Sequence, residues 1–376
     1  MSKNIVLCCD GTSNQFAEDR TNVIKLYSVL QQNELQVTYY HPGIGTMEPP
    51  GALTPWRRGL FRALEMAVGW GLEYDIRDAY VFLMRTYQPG DHVYMFGFSR
   101  GAYTVRAVAA LLHAYGLIRL DNEALVPYAI RMMMAIQRAN NRRLSAAARE
   151  EFEKYRQLAS EFKATMCRTD CKPWFVGVFD TVSSVGWLDN PLKLPFVTNN
   201  PDIHYGRHAI AIDEHRAFFR SHLWRKPDRP GPFGPADMKQ VWFPGCHCDV
   251  GGGHKESESG LSKLALEWMI AEAKPTGLLV DDAKVAMVLG RNHDAFARPD
   301  CNAKLHESLK GFWHIAEFIP KRHFDFDTKK TSWRMNRYRR RIIPAGSDVH
   351  ESAFQRQGNY KDRLPPDARP VVTLPL

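Results

Sequence analysis

Apolar and polar positions along this chain repeat with two different periods. Short runs rich in aliphatic, aromatic and β-branched residues occur at Ile5 to Cys9, Gln36 to Tyr40, Val93 to Phe96, Trp174 to Phe179 and Val241 to Phe243, and each closes in a turn containing Gly, Pro or Asp. Runs of that length predict strands buried on both faces, as in a parallel sheet. Between them the period lengthens to that of a helix. Thr21 to Leu30 is one such stretch, and Leu72 to Tyr87 is another, with Ile76, Tyr80, Leu83 and Met84 on one stripe. From Arg100 onward Ala102, Val105, Ala109 and Leu112 recur at helical spacing up to Gly116, a C-terminal cap. Leu261 to Ala273 forms a further helix. Alternating strands and helices predict an α/β fold with a mostly parallel central sheet flanked by helices.

Three stretches break the alternation. Pro49 to Gly71 carries scattered Gly and Pro and predicts a surface loop with one short helix. Residues 122–167 are rich in Ala, Met, Arg and Glu with no strand signal, and predict a helical insert or lid. Within it Met132, Met133 and Met134 either line an adaptable apolar pocket or belong to the helix core. Beyond Pro275 the pattern is mixed and ends in an irregular Pro-rich tail. With no repeats and no clean linker, 1–376 is expected to be a single domain, with 276–376 as a C-terminal extension.

Composition narrows the class. With 376 residues, 44% hydrophobic and 24% charged, the chain is globular and able to bury a large core. No window reaches 18 consecutive apolar residues, so no transmembrane helix is expected. Met1 to Asn4 is too short for a signal peptide, which predicts a protein made in, and at first retained in, the cytoplasm. Seven cysteines without disulfide-like spacing agree with a reducing compartment. Cys167, Cys171, Cys246 and Cys248 could form a zinc site only if two remote pairs met; buried small hydrophobes are the simpler reading, and no cofactor or metal is expected. The net charge of +9 is unevenly placed: Lys321 to Arg341 holds nine Lys or Arg against two Asp, with Trp333 and Tyr338 interleaved. That segment is either a docking surface for a polyanion, with an anionic membrane expected rather than nucleic acid, or a solvated face.

The candidate chemistry centres on Ser99. It stands between a predicted strand and a predicted helix, flanked by Gly97 and Gly101, in the G-x-S-x-G arrangement of a nucleophile elbow. The turn is so sharp that residues two before and two after the serine must be small. A serine hydroxyl needs a base within hydrogen-bond reach, and the base needs an orienting carboxylate. Asp180 and His247 each follow a predicted strand, giving the chain order Ser, Asp, His. His215, His254 and His350 compete for the base; His215 lies within the charged cluster Asp213 to Arg216, which suits a salt-bridge network better. Oxyanion donors are expected from the Arg100 N–H and the Gly11-Thr12 turn. Arg100 and Arg106 could also meet a phosphate, with Arg106 equally suited to a helix surface. Asp10 and Asp249 could bind a divalent cation or, more simply, cap turns.

Several short motifs occur in one order: Asp10-Gly11-Thr12 with Asn14, Thr21-Asn22-Val23 with Leu26-Tyr27, Gly43-Ile44-Gly45-Thr46, Gly97-Phe98-Ser99-Arg100-Gly101-Ala102, Phe179-Asp180-Thr181-Val182, Ala211-Ile212-Asp213-Glu214 with Arg216, and His247 followed by Asp249-Val250-Gly251-Gly252-Gly253. In this order they resemble the α/β-hydrolase family that includes the catalytic domain of Tle-type phospholipase effectors of bacterial type VI secretion. The resemblance runs from about residue 4 to about residue 275, with a weaker echo at His350-Glu351-Ser352. It implies a serine hydrolase with Ser99 as nucleophile, Asp180 as acid and His247 as base. It also implies a phospholipid or other acyl-ester substrate and, for a secreted member, type VI delivery and an immunity partner. The chain departs from the family in lacking long extra domains and in placing His254 where an aromatic residue commonly follows the glycines. Three functions are therefore expected in order: a phospholipase-type esterase, a hydrolase of a non-lipid ester, amide or thioester, and a non-catalytic scaffold with a basic binding face.

Overall fold

Ile5, Leu7 and Cys9 enter one core while Val6 and Cys8 enter another. Val93 and Met95 likewise part from Tyr94, Phe96 and Phe98, and Val176 and Val178 from Phe175 and Phe179. Side chains two apart on a strand share a face, so an unbroken apolar run serves two cores at once, which requires helices on both sides of the sheet. The computed structural model describes residues 2–11, 19–43, 71–141, 146–182, 194–217, 219–224, 235–311, 313–324 and 331–376, and has that construction.

In chain order the elements are β1 (Asn4–Cys9), α1 (Asn22–Val29), β2 (Gln36–His41), α2 (Leu72–Thr86), β3 (His92–Phe98), α3 (Arg100–Tyr115), β4 (Leu117–Ile118), α4 (Val126–Asn141), α5 (Ala146–Met166), β5 (Cys167–Thr169), β6 (Pro173–Phe179), β7 (Tyr205–Ala211) and β8 (Asp237–Phe243). There follow α6 (His247–Gly251), α7 (Gly260–Ala273), α8 (Asp282–Val288), α9 (Trp313–Ala316), β9 (Lys321–Phe324), β10 (Thr331–Arg334), β11 (Asp348–His350), α10 (Glu351–Gln355) and β12 (Arg369–Val371). Eight strands form the central sheet in the order β2-β1-β3-β6-β7-β8-β11-β12, and every pairing is parallel. This is an α/β-hydrolase-like fold. Helices α2 and α3 cover one face, and α1, α7 and α8 cover the other. Among the described residues no helix is long and apolar enough to cross a membrane.

The strand order places the site. From β1 the chain moves outward to β2 and then returns to lay β3 on the other side of β1, so the direction of winding reverses between β1 and β3. Ligands of open α/β sheets bind at the carboxyl ends of strands beside such a reversal. Gly11 follows β1 there, and Ser99 follows β3.

The insert leaves the core at Gly116, whose N–H caps α3 by bonding the Leu112 carbonyl at 2.8 Å, and returns through the β4–β5 pair. Met132 and Met133 are buried in the core with α2 and α3, which is the helix-core alternative of the two expected. The predicted loop from Pro49 onward lies outside the described residues up to Gly71, the N-cap of α2. All seven cysteines are free thiols. Cys167 and Cys171 sit near the amino end of β6 and Cys246 beyond the carboxyl end of β8, so the two pairs do not meet.

The mixed segment beyond Pro275 contributes β11 to the central sheet, and the Pro-rich tail, expected to be irregular, contributes β12. β11 pairs with β8 and β12 with β11, extending the central sheet, and Val349, Ala353 and Tyr360 form a third core with Ile210 and Trp242. Strands of three residues, of which β12 is largely exposed, carry too little pattern for periodicity to reveal them.

Candidate functional site

The elbow is built as its glycine spacing requires. Ser99 has φ 57° and ψ −118°, a conformation outside helix and strand, so that the chain turns at once from β3 into α3. A Cβ on Gly97 would lie 2.5 Å from the Gly101 carbonyl oxygen, and one on Gly101 would lie 2.1 Å from the Cys9 carbonyl oxygen. Real Cβ atoms do not approach backbone this closely, so both positions exclude any side chain. The Ser99 N–H donates to the Phe179 carbonyl at 3.1 Å and ties the turn to the end of β6. Arg100 is the first residue of α3.

Asp180 is the residue after β6, fully buried, and also at positive φ, 35°. Its N–H donates to the Ala209 carbonyl at 2.7 Å. Oδ1 accepts from the Ala211 N–H at 3.0 Å and from Arg341 Nη1 at 2.5 Å. Oδ2 lies 2.6 Å from His247 Nδ1 and accepts from Arg341 Nη2 at 3.0 Å. Because the carboxylate can only accept, His247 carries its proton on Nδ1. Burial alone would push Asp180 up, but the Arg341 guanidinium and the His247 hydrogen bond outweigh it and hold the carboxyl well below the usual range.

His247 opens α6 after the Pro244-Gly245-Cys246 turn. Its ring packs against Phe98 at 4.6 Å between centroids and meets Phe219 edge-on at 5.0 Å. Nε2 is buried and has no hydrogen-bond partner among the described residues. Phe98 immediately precedes Ser99, so the ring lies beside the elbow, but Nε2 makes no hydrogen bond to Ser99. Burial lowers the His247 pKa against the upward pull of Asp180, which favours the neutral imidazole.

The charged cluster after β7 anchors this turn. Asp213 Oδ2 accepts from the Gly245 N–H at 2.8 Å and Glu214 Oε2 from the His247 N–H at 3.2 Å. Glu214 is in turn gripped by Arg216 through two bonds of 2.9 Å. Burial raises the Glu214 pKa, but Arg216 brings it down to about 2. The His215 carbonyl accepts from Asn336 Nδ2 at 3.0 Å.

The remaining candidates lie elsewhere or are otherwise engaged. His350 is a core residue on the far side of β8, with Nδ1 and Nε2 each 2.7 Å from the hydroxyls of Ser352 and Thr373, and its ring stacked on Phe243. Burial lowers its pKa to about 4. Asp10 organises a turn by accepting from Gly11 N–H at 2.7 Å, Thr21 Oγ1 at 2.5 Å and Tyr40 OH at 3.0 Å. That bond takes up the Gly11 N–H, so in this arrangement Gly11 does not offer a second oxyanion donor; Thr12 lies outside the described residues. Asp249 accepts from the N–H groups of Cys246 at 3.0 Å and His306 at 3.1 Å, and from His306 Nδ1 at 2.6 Å. His254 stacks on His306 at 3.7 Å. These contacts make Asp249 a hydrogen-bond hub that braces α6. Arg106, rather than lying on a surface, is buried and donates to the Val197 and His222 carbonyls.

Arg341 is the site residue that sequence reasoning missed. Within a run of basic residues nothing marks it as the one that turns inward, and its partner lies 161 positions away.

The family model for type VI secretion phospholipase effectors, Tle1-like, catalytic domain, matches residues 3–272. An uncharacterized protein of Saccharomyces cerevisiae is 34% identical over 226 residues, covering 58% of this chain and 32% of that protein. The chain thus spans about a third of that relative's length. A crystal structure of an uncharacterized protein from Pseudomonas aeruginosa aligns with a TM-score of 0.44 at 20% identity, over 79% of this chain and 49% of that one. Ser99, Asp180 and His247 fall inside the family match, and Arg341 falls beyond it.

Proposed function

Because this chain belongs to the family of type VI secretion phospholipase effectors with a Tle1-like catalytic domain, we propose that it is a serine esterase of phospholipase type, acting through Ser99, His247 and Asp180. One observation carries the reading: a buried histidine whose Nδ1 is held by a carboxylate at 2.6 Å while its Nε2 is left unpaired, packed on the residue preceding an elbow serine. In this reading Ser99 Oγ attacks the ester carbonyl as its proton passes to His247 Nε2. Asp180 keeps the imidazole in the required tautomer and stabilises the imidazolium. The Arg100 N–H faces the oxyanion. The tetrahedral intermediate collapses, the leaving alcohol takes the proton from His247, and water then repeats the sequence on the acyl-enzyme to release the fatty acid.

A lipid surface as partner has its own support. Trp333, Tyr338 and Ile342 are exposed at 53%, 43% and 57%, beside exposed Arg337, Arg339 and Arg340. Apolar side chains interleaved with arginine suit the interface of an anionic membrane. Delivery by type VI secretion and recognition by an immunity partner belong to the same proposal.

The test is a hydrolysis panel of neutral and anionic phospholipid vesicles and short acyl esters, run beside a fluorophosphonate probe with the labelled residue located by mass spectrometry. Labelling of Ser99 with lipid turnover is expected. Labelling without lipid turnover favours the non-lipid ester, amide or thioester reading, and neither labelling nor turnover rejects the enzymatic one.

A further inference from the structure

The side chain of Arg341 is 6% exposed, and every nitrogen of its guanidinium is engaged. Nε donates to the Phe219 carbonyl at 3.0 Å. Nη1 donates to Asp180 Oδ1 at 2.5 Å and to the Ala211 carbonyl at 3.0 Å. Nη2 donates to Asp180 Oδ2 at 3.0 Å and to the Phe219 carbonyl at 2.5 Å. We infer that Arg341 is a positioning residue of the site: its planar fork fixes the Asp180 carboxylate against rotation, and its charge offsets that of Asp180 so that His247 stays unprotonated, and able to accept the serine proton, at lower pH. This rests on the reading of Ser99, Asp180 and His247 as a triad.

The geometry separates this from a bystander salt bridge. Each Asp180 oxygen accepts two hydrogen bonds, Oδ1 from Ala211 and Arg341 and Oδ2 from His247 and Arg341. Rotating the carboxylate to lose the His247 bond would therefore also break the bidentate fork, the strongest of the carboxylate's contacts. An acid held by backbone alone would have no such constraint on Oδ2. Arg341 itself is fixed by two carbonyls, that of Ala211 at the end of β7 and that of Phe219 in the loop beyond it, and Phe219 also presents its ring to His247.

The charge argument follows from what surrounds the imidazole. Asp180 faces it from the end of β6 with Arg341 behind; Glu214 and Arg216 face it as a second pair from the loop after β7; Phe98 and Phe219 cover its ring; Cys246, Cys248 and Asp249 are on its own helix or cap. Two acids near His247 are thus each matched by an arginine. An imidazole beside an unmatched buried carboxylate would hold its proton more tightly and stay protonated to higher pH. A base that must take the serine proton and then return it to the leaving alcohol works best when neither state is strongly favoured. The arginine that matches Asp180 comes from outside residues 3–272, so the part of the chain that the family match does not cover completes the site.

The experiment compares the full-length parent with Arg341→Gln and Arg341→Lys on a soluble short-chain ester, measuring kcat and KM across pH together with fluorophosphonate labelling of Ser99. In Arg341→Gln, kcat is expected to fall roughly ten- to hundredfold with KM little changed, because the acid is mispositioned rather than the substrate unbound. The acidic limb of its kcat/KM profile should move to higher pH, since removing the cation strengthens the pull of Asp180 on the His247 proton. Arg341→Lys should return the limb toward the parent's position by restoring the charge, while kcat stays depressed because an ammonium cannot form the fork. An unmoved limb in Arg341→Gln, or a limb in Arg341→Lys that matches Arg341→Gln, overturns the inference while leaving the triad intact. If Arg341→Gln does not fold, parent-like kcat in Arg341→Lys overturns it alone. A parent with neither ester turnover nor labelled Ser99 overturns the triad and this inference together.

Discussion

The Ser99→Ala protein is expected to fold as the parent does and to lose ester hydrolysis by roughly 10⁴-fold or more, the scale on which removal of a nucleophile acts. The elbow depends on the backbone of residue 99: its N–H bonds the Phe179 carbonyl and its carbonyl accepts from the Tyr103 N–H at 3.3 Å. Neither bond uses the hydroxyl, and alanine can occupy the same φ of 57° at a cost of about 1 kcal/mol or less relative to serine. A thermal melt close to the parent's, with fluorophosphonate labelling gone and turnover lost, is the expected combination. Retention of more than a tenth of the parent's turnover would mean that another residue attacks the ester.

Asp180→Asn is expected to do two kinds of damage. Activity should fall by a comparable factor, because an amide can present its NH2 to the imidazole and favour the wrong tautomer. Stability should fall by about 3–5 kcal/mol, because the substitution leaves the Arg341 charge buried without its partner. The loss should also depend on pH in a defined direction. The folded Asp180 carboxyl is held well below its ordinary value, burial being outweighed by Arg341 and His247. Its contribution to stability is therefore fully present above the unfolded value of ~3.9 and is lost as pH falls through the folded value. The stability gap between parent and Asp180→Asn, measured by denaturant unfolding at pH 7 and again near pH 3, should narrow on acidification; a gap independent of pH would contradict the ion pair as described.

What was legible in the sequence was what short-range physics determines. The apolar runs marked β1, β3, β6 and the buried end of β8, Val241 to Phe243, because both faces are covered there, and the elbow was visible because a side chain on Gly97 would strike Gly101 within the same pentapeptide. Asp180 and His247 stood out because both follow apolar runs, and the structure brings those two together, not His215, His254 or His350. Illegible features depend on distant partners. Arg341 sits among Arg337, Arg339 and Arg340, which are exposed, and only its contact with a carboxylate 161 residues away distinguishes it. The capture of the Gly11 N–H by the neighbouring Asp10 side chain is a conformational choice that no spacing rule encodes. β11 and β12 are held by pairing to β8 more than by pattern of their own.

That pairing bears on where the chain can be cut. Ending the protein at residue 272, the limit of the family match, would strip β11 and β12 from the sheet and leave β8 as its border. The new border would carry unsatisfied backbone groups along Val241 and Trp242, whose partners Asp348 and Val349 had gone, and would uncover Trp242 and Ile210, which now lie buried against Val349, Ala353 and Tyr360. A strand edge that is both unpaired and apolar is a template for intermolecular association. A fragment designed on the family boundary should accordingly collect in inclusion bodies, and soluble expression calls for the sheet to be kept whole through Val371.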